Sequence, residues 1–116
     1  MKKYLTGLTL LLAACGSGYK HTVITEEVPG RKIRIEYRGD VEFSADSTAI
    51  RSMQPGATAS YDRNGTGFEA KADQDGHIRY AYEGGDLQER LTGSEAEFMR
   101  AAIRDMVRLG RNRSRQ

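Results

Sequence analysis

Cys15 is the only thiol in a chain of 116 residues, and three small or apolar residues, Leu12, Ala13 and Ala14, stand directly before it. A thiolate is the strongest nucleophile a side chain offers at moderate pH, so acylation or alkylation is the chemistry this position suits best. The other reactive types are sparser in pattern. His21 and His77 have no second histidine at HxH or HExxH spacing, and a single cysteine supplies no ordinary zinc set. Asp73-Gln74-Asp75-Gly76 opens like a calcium loop, but His77, Ile78 and Arg79 follow where further oxygen ligands are required, so a hairpin turn is the expected reading. No serine lies in a G-x-S-x-G elbow. Carboxylates are scattered along strand-like segments beside Arg and Lys, as solvated partners.

Ahead of the thiol, Lys2 and Lys3 precede a short apolar run over residues 5–14. This layout resembles the signal peptide of bacterial lipoproteins. The resemblance implies that residues 1–14 are a leader, that Leu12, Ala13 and Ala14 are recognised by a signal peptidase, and that Cys15 carries diacylglycerol, with a further palmitate-type acyl chain on the new amino terminus. The residue types suit that chemistry: a thiolate forms a stable thioether, and small Ala13 and Ala14 let a peptidase approach the backbone. A transmembrane span needs about 20 apolar residues, and this run has roughly half that. Two or three acyl chains, at about 0.8 kcal/mol per buried methylene, anchor a protein stably. The expected location is the bacterial cell envelope. Gly16 stands where an aspartate commonly marks inner-membrane retention, which points to the outer membrane, facing the periplasm.

Charge reads differently without the leader. The 18 Lys and Arg include Lys2 and Lys3, so 16 remain against 16 Asp and Glu, and the formal +2 of the whole chain is no argument for nucleic acid. About a hundred residues suffice for one domain that buries about 60% or more of its unfolded surface. The organisation expected is a leader at 1–14, a flexible tether at 15–20, one domain at 21–110 and a basic disordered tail at 111–116.

Within the domain the apolar period is two. Residues 21–28 read as a first strand with an exposed edge, ended by Pro29-Gly30. In residues 31–38, Ile33, Ile35 and Tyr37 alternate with charged residues, and Gly39-Asp40 marks a turn or bulge before Val41 and Phe43 resume. A weaker strand follows at 48–53. Ala57, Ala59 and Tyr61, then Phe68, Ala70 and Ala72, then Ile78, Tyr80 and Tyr82 form three further inward faces, joined by tight turns at Asn64-Gly65 and Asp75-Gly76. The aromatics share these faces with Ile and Ala and read as core.

The period then becomes helical. Phe98, Met99, Ala102, Ile103, Met106 and Leu109 recur at spacings of three and four, either Thr92 or Ser94 can open a capping box, and Gly110 is the expected stop. The fold expected is α+β, an antiparallel meander of about five to seven strands with one amphipathic C-terminal helix packed on one face. Six arginines lie between Arg100 and Arg115 against Asp105 alone. Arg104, Arg108, Arg111, Arg113 and Arg115 are the candidates for contact with anionic headgroups, each worth about 1 kcal/mol near such a surface.

Residues 39–109 carry a second resemblance, in the series GDVEF, IRSMQPGA, AKAD and DGHIRYAYEGG followed by a helix. The series is similar to the small β-strand module of bacterial sensor metallopeptidases of the beta-lactam-signalling type, without the peptidase's zinc motif. It implies an envelope module that senses, binds or scaffolds, with an envelope protein as partner and no cofactor or enzymatic activity. The alternative is a small envelope hydrolase whose carboxylates converge from separate strands.

Overall fold

Alternating burial along the strands produces a sheet with one apolar face. The computed structural model describes residues 19–114, so Leu12, Ala13, Ala14, Cys15 and Arg115 lie outside the described residues. Seven strands and one helix follow in order: β1 (His21–Val28), β2 (Arg31–Arg38), β3 (Val41–Phe43), β4 (Ile50–Met53), β5 (Thr58–Arg63), β6 (Thr66–Ala72), β7 (Ile78–Tyr82) and α1 (Gly93–Ser114). Five of them form one antiparallel sheet in the order β1-β2-β5-β6-β7, and β3 pairs with β4 in a separate hairpin. The expected α+β class is what the chain adopts.

Register places Ile24, Ile35, Tyr61, Phe68 and Tyr82 in one row across the sheet. Ile33 and Ile35 are fully buried, each contributing about 1.5–3 kcal/mol by leaving water. They join Ala59, Tyr61, Phe68 and Ala70 with Ala102, Ile103, Met106 and Leu109 of the helix in one cluster, to which Ile50 and Met53 of β4 also belong. Phe98 sets the helix edge-on against two strands, 5.7 Å from the Tyr61 ring and 5.5 Å from Tyr82.

Both expected tight turns exist, by different means. Asn64 (φ 53°) and Gly65 (φ 92°) are both left-handed, the geometry that suits a two-residue hairpin. At the second, Gly76 alone has positive φ, and Asp73 Oδ1 accepts from the Asp75 and His77 amides at 2.9 and 3.0 Å. The Asp73 carboxylate therefore organises the turn.

Gly39 does not merely interrupt a strand. At φ 93° it turns the chain out of the large sheet into β3, and a bulge lies between Glu42 and Phe43. A Cβ at Gly39 would lie 2.8 Å from the Ala57 Cβ, so neither the backbone angle nor the packing admits a side chain.

Two expected boundaries are corrected. Tyr19 and Lys20 belong to the fold and not to a tether: the Tyr19 hydroxyl donates to Pro55 O at 2.7 Å, and Lys20 O accepts from the Gly39 amide at 2.7 Å. The tyrosine ring packs over Gly39 and Gly56, where missing side chains leave it room. The helix, in turn, does not stop at Gly110 and runs to Ser114, so residues 111–114 are helical and not a disordered tail. Gly110 is absent from the positive-φ residues that a glycine cap requires. Its cost in a helix, about 1 kcal/mol relative to Ala, is smaller than what packing on the sheet supplies.

The two glycines give opposite expectations in a thermal or denaturant melt. Gly39→Ala destabilises by about 1–3 kcal/mol through strain and the Ala57 contact. Gly110→Ala, where an added Cβ meets no atom within 4 Å, stabilises by up to about 1 kcal/mol.

Candidate functional site

An apolar groove of about 550 Å³ opens where the C-terminal half of α1 passes the ends of β1 and β2 and the β3 strand. Its walls are Val41 and Phe43 from β3, Tyr37 from β2, and Met106 and Val107 from α1. Its size lies within the range of small-molecule sites, about 300–1,000 Å³. Local sequence explains the opening. Gly39 swings β3 away from the sheet, and Gly110, also on the lining, presents no side chain to fill the space between helix and hairpin.

Tyr37 and Phe43 meet edge-on across this wall, with centroids 6.4 Å apart at 64°. Burial pushes the Tyr37 phenol well above its ordinary pKa of 10.0, so it is a neutral hydroxyl in the wall at any physiological pH. Around the groove stand the exposed cations Lys20 and Arg111, with the exposed carboxylate Asp40 and the Thr22 hydroxyl. Neither Lys20 nor Arg111 forms an ion pair among the described residues.

A polar network joins the helix to the sheet beside this groove. Arg108 donates to both Glu26 oxygens at 3.2 and 3.4 Å and to Asp105 Oδ1 at 3.2 Å, while the Tyr61 hydroxyl donates to Asp105 Oδ2 at 2.6 Å. Arg31 Nε lies 3.2 Å from Glu26 Oε1 without the alignment of a hydrogen bond. Glu26 is held below its ordinary carboxylate range by the Arg108 hydrogen bonds foremost. Tyr61 is raised by burial and then by the Asp105 carboxylate it donates to.

The candidate arginines separate accordingly. Arg108 is partly exposed but already paired with Glu26 and Asp105, so it is not a free cation like its neighbours on the helix. Arg104 and Arg111 are exposed and lie two turns apart, on one side of the helix. Arg113 falls in the last helical turn, and its side chain, like Arg115, lies outside what is described.

The histidines are surface residues facing carboxylates: His21 Nε2 is 2.5 Å from Glu36, and His77 Nε2 is 3.0 Å from Glu89. Among the described residues, no three His, Cys, Asp or Glu side chains stand together in a way that could hold a metal ion. The displaced carboxylates are all pushed down: Glu26 by Arg108, Glu36 by His21 and then Arg34, Glu42 by Ser52 and Arg51, Asp46 by Ser44, and Asp73 by the His77 amide. A carboxylic acid that donates a proton near neutral pH needs the opposite displacement.

Sequence reading found the Arg104 and Arg111 positions but missed the groove and the network. It assigned Tyr37 and Phe43 to the core, against which both pack, and did not foresee that they also line the groove. The i,i+3 pair Asp105 and Arg108 was a legible signal, as was Glu26 on the inward side of β1 next to Ile24. No helix among the described residues is long and apolar enough to cross a membrane. Compared with known proteins, the chain matches no protein-family model, and no curated protein or solved structure is significantly similar to it. The class defined by fold and site is therefore an α+β domain with an apolar, cation-flanked groove.

The network sets the pH response. Glu26 has a lowered folded-state pKa, so its contribution is present above the unfolded value of 4.5 and is lost as pH falls through the lower folded value. In acid denaturation, Arg108→Ala flattens that loss and lowers stability at neutral pH by about 1 kcal/mol. Tyr61→Phe costs about 1–2 kcal/mol at neutral pH, because it removes a hydrogen bond to a charged acceptor. Tyr61, Tyr37 and Tyr80 have raised pKa values, so the stability they confer is present below 10.0 and declines as pH rises above it. Spectrophotometric tyrosine titration should find one late phenol fewer in the Tyr61→Phe variant than in the wild type.

Proposed function

We infer that this protein is a membrane-anchored cell-envelope lipoprotein acting as a non-catalytic binding module, held by lipid on Cys15 and facing the periplasm from the outer membrane. The observation that carries the reading is positional. The apolar groove opens beside Lys20, and Lys20 follows Cys15 by five residues. With Tyr19 docked in the fold, only four residue steps separate it from Cys15, a reach of at most about 14 Å. Lipidation at Cys15 would then hold Tyr19, next to the Lys20 that lines the groove, within that distance of the lipidated residue.

Charge supports the same orientation. Lys20, Arg104 and Arg111 are exposed, and anionic headgroups would attract each of them. The open face of the sheet, by contrast, carries both signs closely interspersed, as in the Arg34, Glu36 and His21 cluster. The resemblance of residues 39–109 to the metallopeptidase-associated module is consistent with a sensing or scaffolding role toward an envelope protein.

Expression in a diderm host with an alkyne-tagged palmitate tests the anchor. The wild-type chain incorporates label and sediments with membranes, and Cys15→Ala loses both while its melting curve is unchanged. Equal labelling of the two would overturn the lipoprotein reading.

A further inference from the structure

We propose that the groove between α1 and the β3 strand is a site for a single-chain anionic amphiphile, a fatty acid, with its chain against Val41, Phe43, Met106 and Val107 and its carboxylate at Lys20 and Arg111. The proposal deepens the binding-module reading above by naming its ligand class, and it does not depend on the lipid anchor.

Three observations converge on it. Most of the lining is aliphatic and aromatic, and the Tyr37 and Thr22 hydroxyls on it are neutral and can each donate one hydrogen bond. Such walls reward an alkyl chain by removing it from water and give a strongly hydrated ligand nothing in exchange. The charge around the opening is asymmetric: two cations, Lys20 and Arg111, that have no ion pair among the described residues, against Asp40. A zwitterion or a cation gains less there than an anion does, and a carboxylate finds a partner only on the cationic side.

The third observation is Gly110. A glycine at this point weakens the helix, and an added Cβ meets no atom of the described residues within 4 Å, so their packing does not demand it. Filling the position with Leu or Ala would stabilise the helix and close part of the groove. The empty position makes sense where the space beside it receives another molecule's atoms.

Neighbouring groups leave the carboxylate's place open. Arg108, one turn before the groove's end of the helix, is already tied to Glu26 and Asp105, so it does not compete for the ligand.

Isothermal titration of the full-length chain, as the Cys15→Ser form to avoid lipidation, uses octanoate, decanoate and dodecanoate below their micellar concentrations, with dodecanol and dodecyltrimethylammonium as neutral and cationic controls. Affinity is expected to rise about tenfold for each two added carbons, as hydrophobic burial requires. Dodecanoate should bind at least several-fold more tightly than either control at low salt, and the difference should shrink as salt is raised. The double variant Lys20→Glu with Arg111→Glu should weaken dodecanoate about tenfold and leave dodecanol unchanged. Gly110→Leu should abolish binding of both while raising the melting temperature, which separates a filled groove from a damaged fold.

Affinity independent of chain length, equal affinity for dodecanoate and dodecanol, or undiminished binding to Gly110→Leu would overturn the proposal. So would an absence of binding, and a chain that is then a concentration-dependent dimer would give the groove to a second copy. Loss of palmitate labelling with intact fatty-acid binding would remove the anchor and keep this site.

Discussion

One apolar stripe on α1 has one apolar sheet face to lie against, and burying the two together is the constraint on which the remaining structure depends. Ala102, Ile103, Met106 and Leu109 are buried together with Ile33, Ile35, Tyr61 and Phe68 in a single cluster. Neither surface is stable in water alone, because a helix of this polarity and a five-stranded sheet with one bare face both need a cover. The helix crosses from Phe98, over Tyr61 and Tyr82, toward Arg108 at the β1 edge. That diagonal path brings its last turns beside the β3 strand, and the groove forms where the two diverge.

Polar groups fix the helix on that path. Apolar packing tolerates small slides and rotations, whereas the Tyr61 to Asp105 hydrogen bond and the Arg108 fork on Glu26 are satisfied at one placement. Glu26 sits on the inward side of an edge strand, where a carboxylate would be costly without these partners. The same arrangement removes Arg108 from the set of surface cations and leaves Arg104 and Arg111 to face outward. A basic segment thus divides into one cation that holds the fold together and others that are available to a partner.

The N-terminal end is organised with equal economy. Tyr19 packs over two glycines and bonds to Pro55, and Lys20 bonds to Gly39, so the chain is fixed to the fold before the first strand begins. Gly39 serves three purposes at once: it receives Tyr19, it avoids Ala57, and it turns the chain out of the sheet to form the groove's far wall. An anchor at Cys15 would consequently act on a defined point of the domain close to the opening.

Strand existence, inward faces and the helix stripe were legible in the residues alone. Period-two and period-3.6 patterns are local, and Ile33, Ile35, Ala59, Phe68, Ala102 and Ile103 fall on the buried sides that those periods indicate. The Asn64-Gly65 turn was legible for the same reason, since positive φ at consecutive residues is a property of the dipeptide. Cys15 with its preceding residues is a one-dimensional signal and belongs wholly to the sequence. What tertiary structure decided was every feature made by residues distant along the chain. Gly110 reads as a helix stop because local chemistry favours one, and it is helical because packing of Met106 and Leu109 on the sheet outweighs that preference. Arg108 reads as a surface cation until Glu26, 82 residues away, reaches it. The groove is assembled from β2, β3 and α1, which meet only through the packing of the helix beside the hairpin, and no window of neighbouring residues can express that.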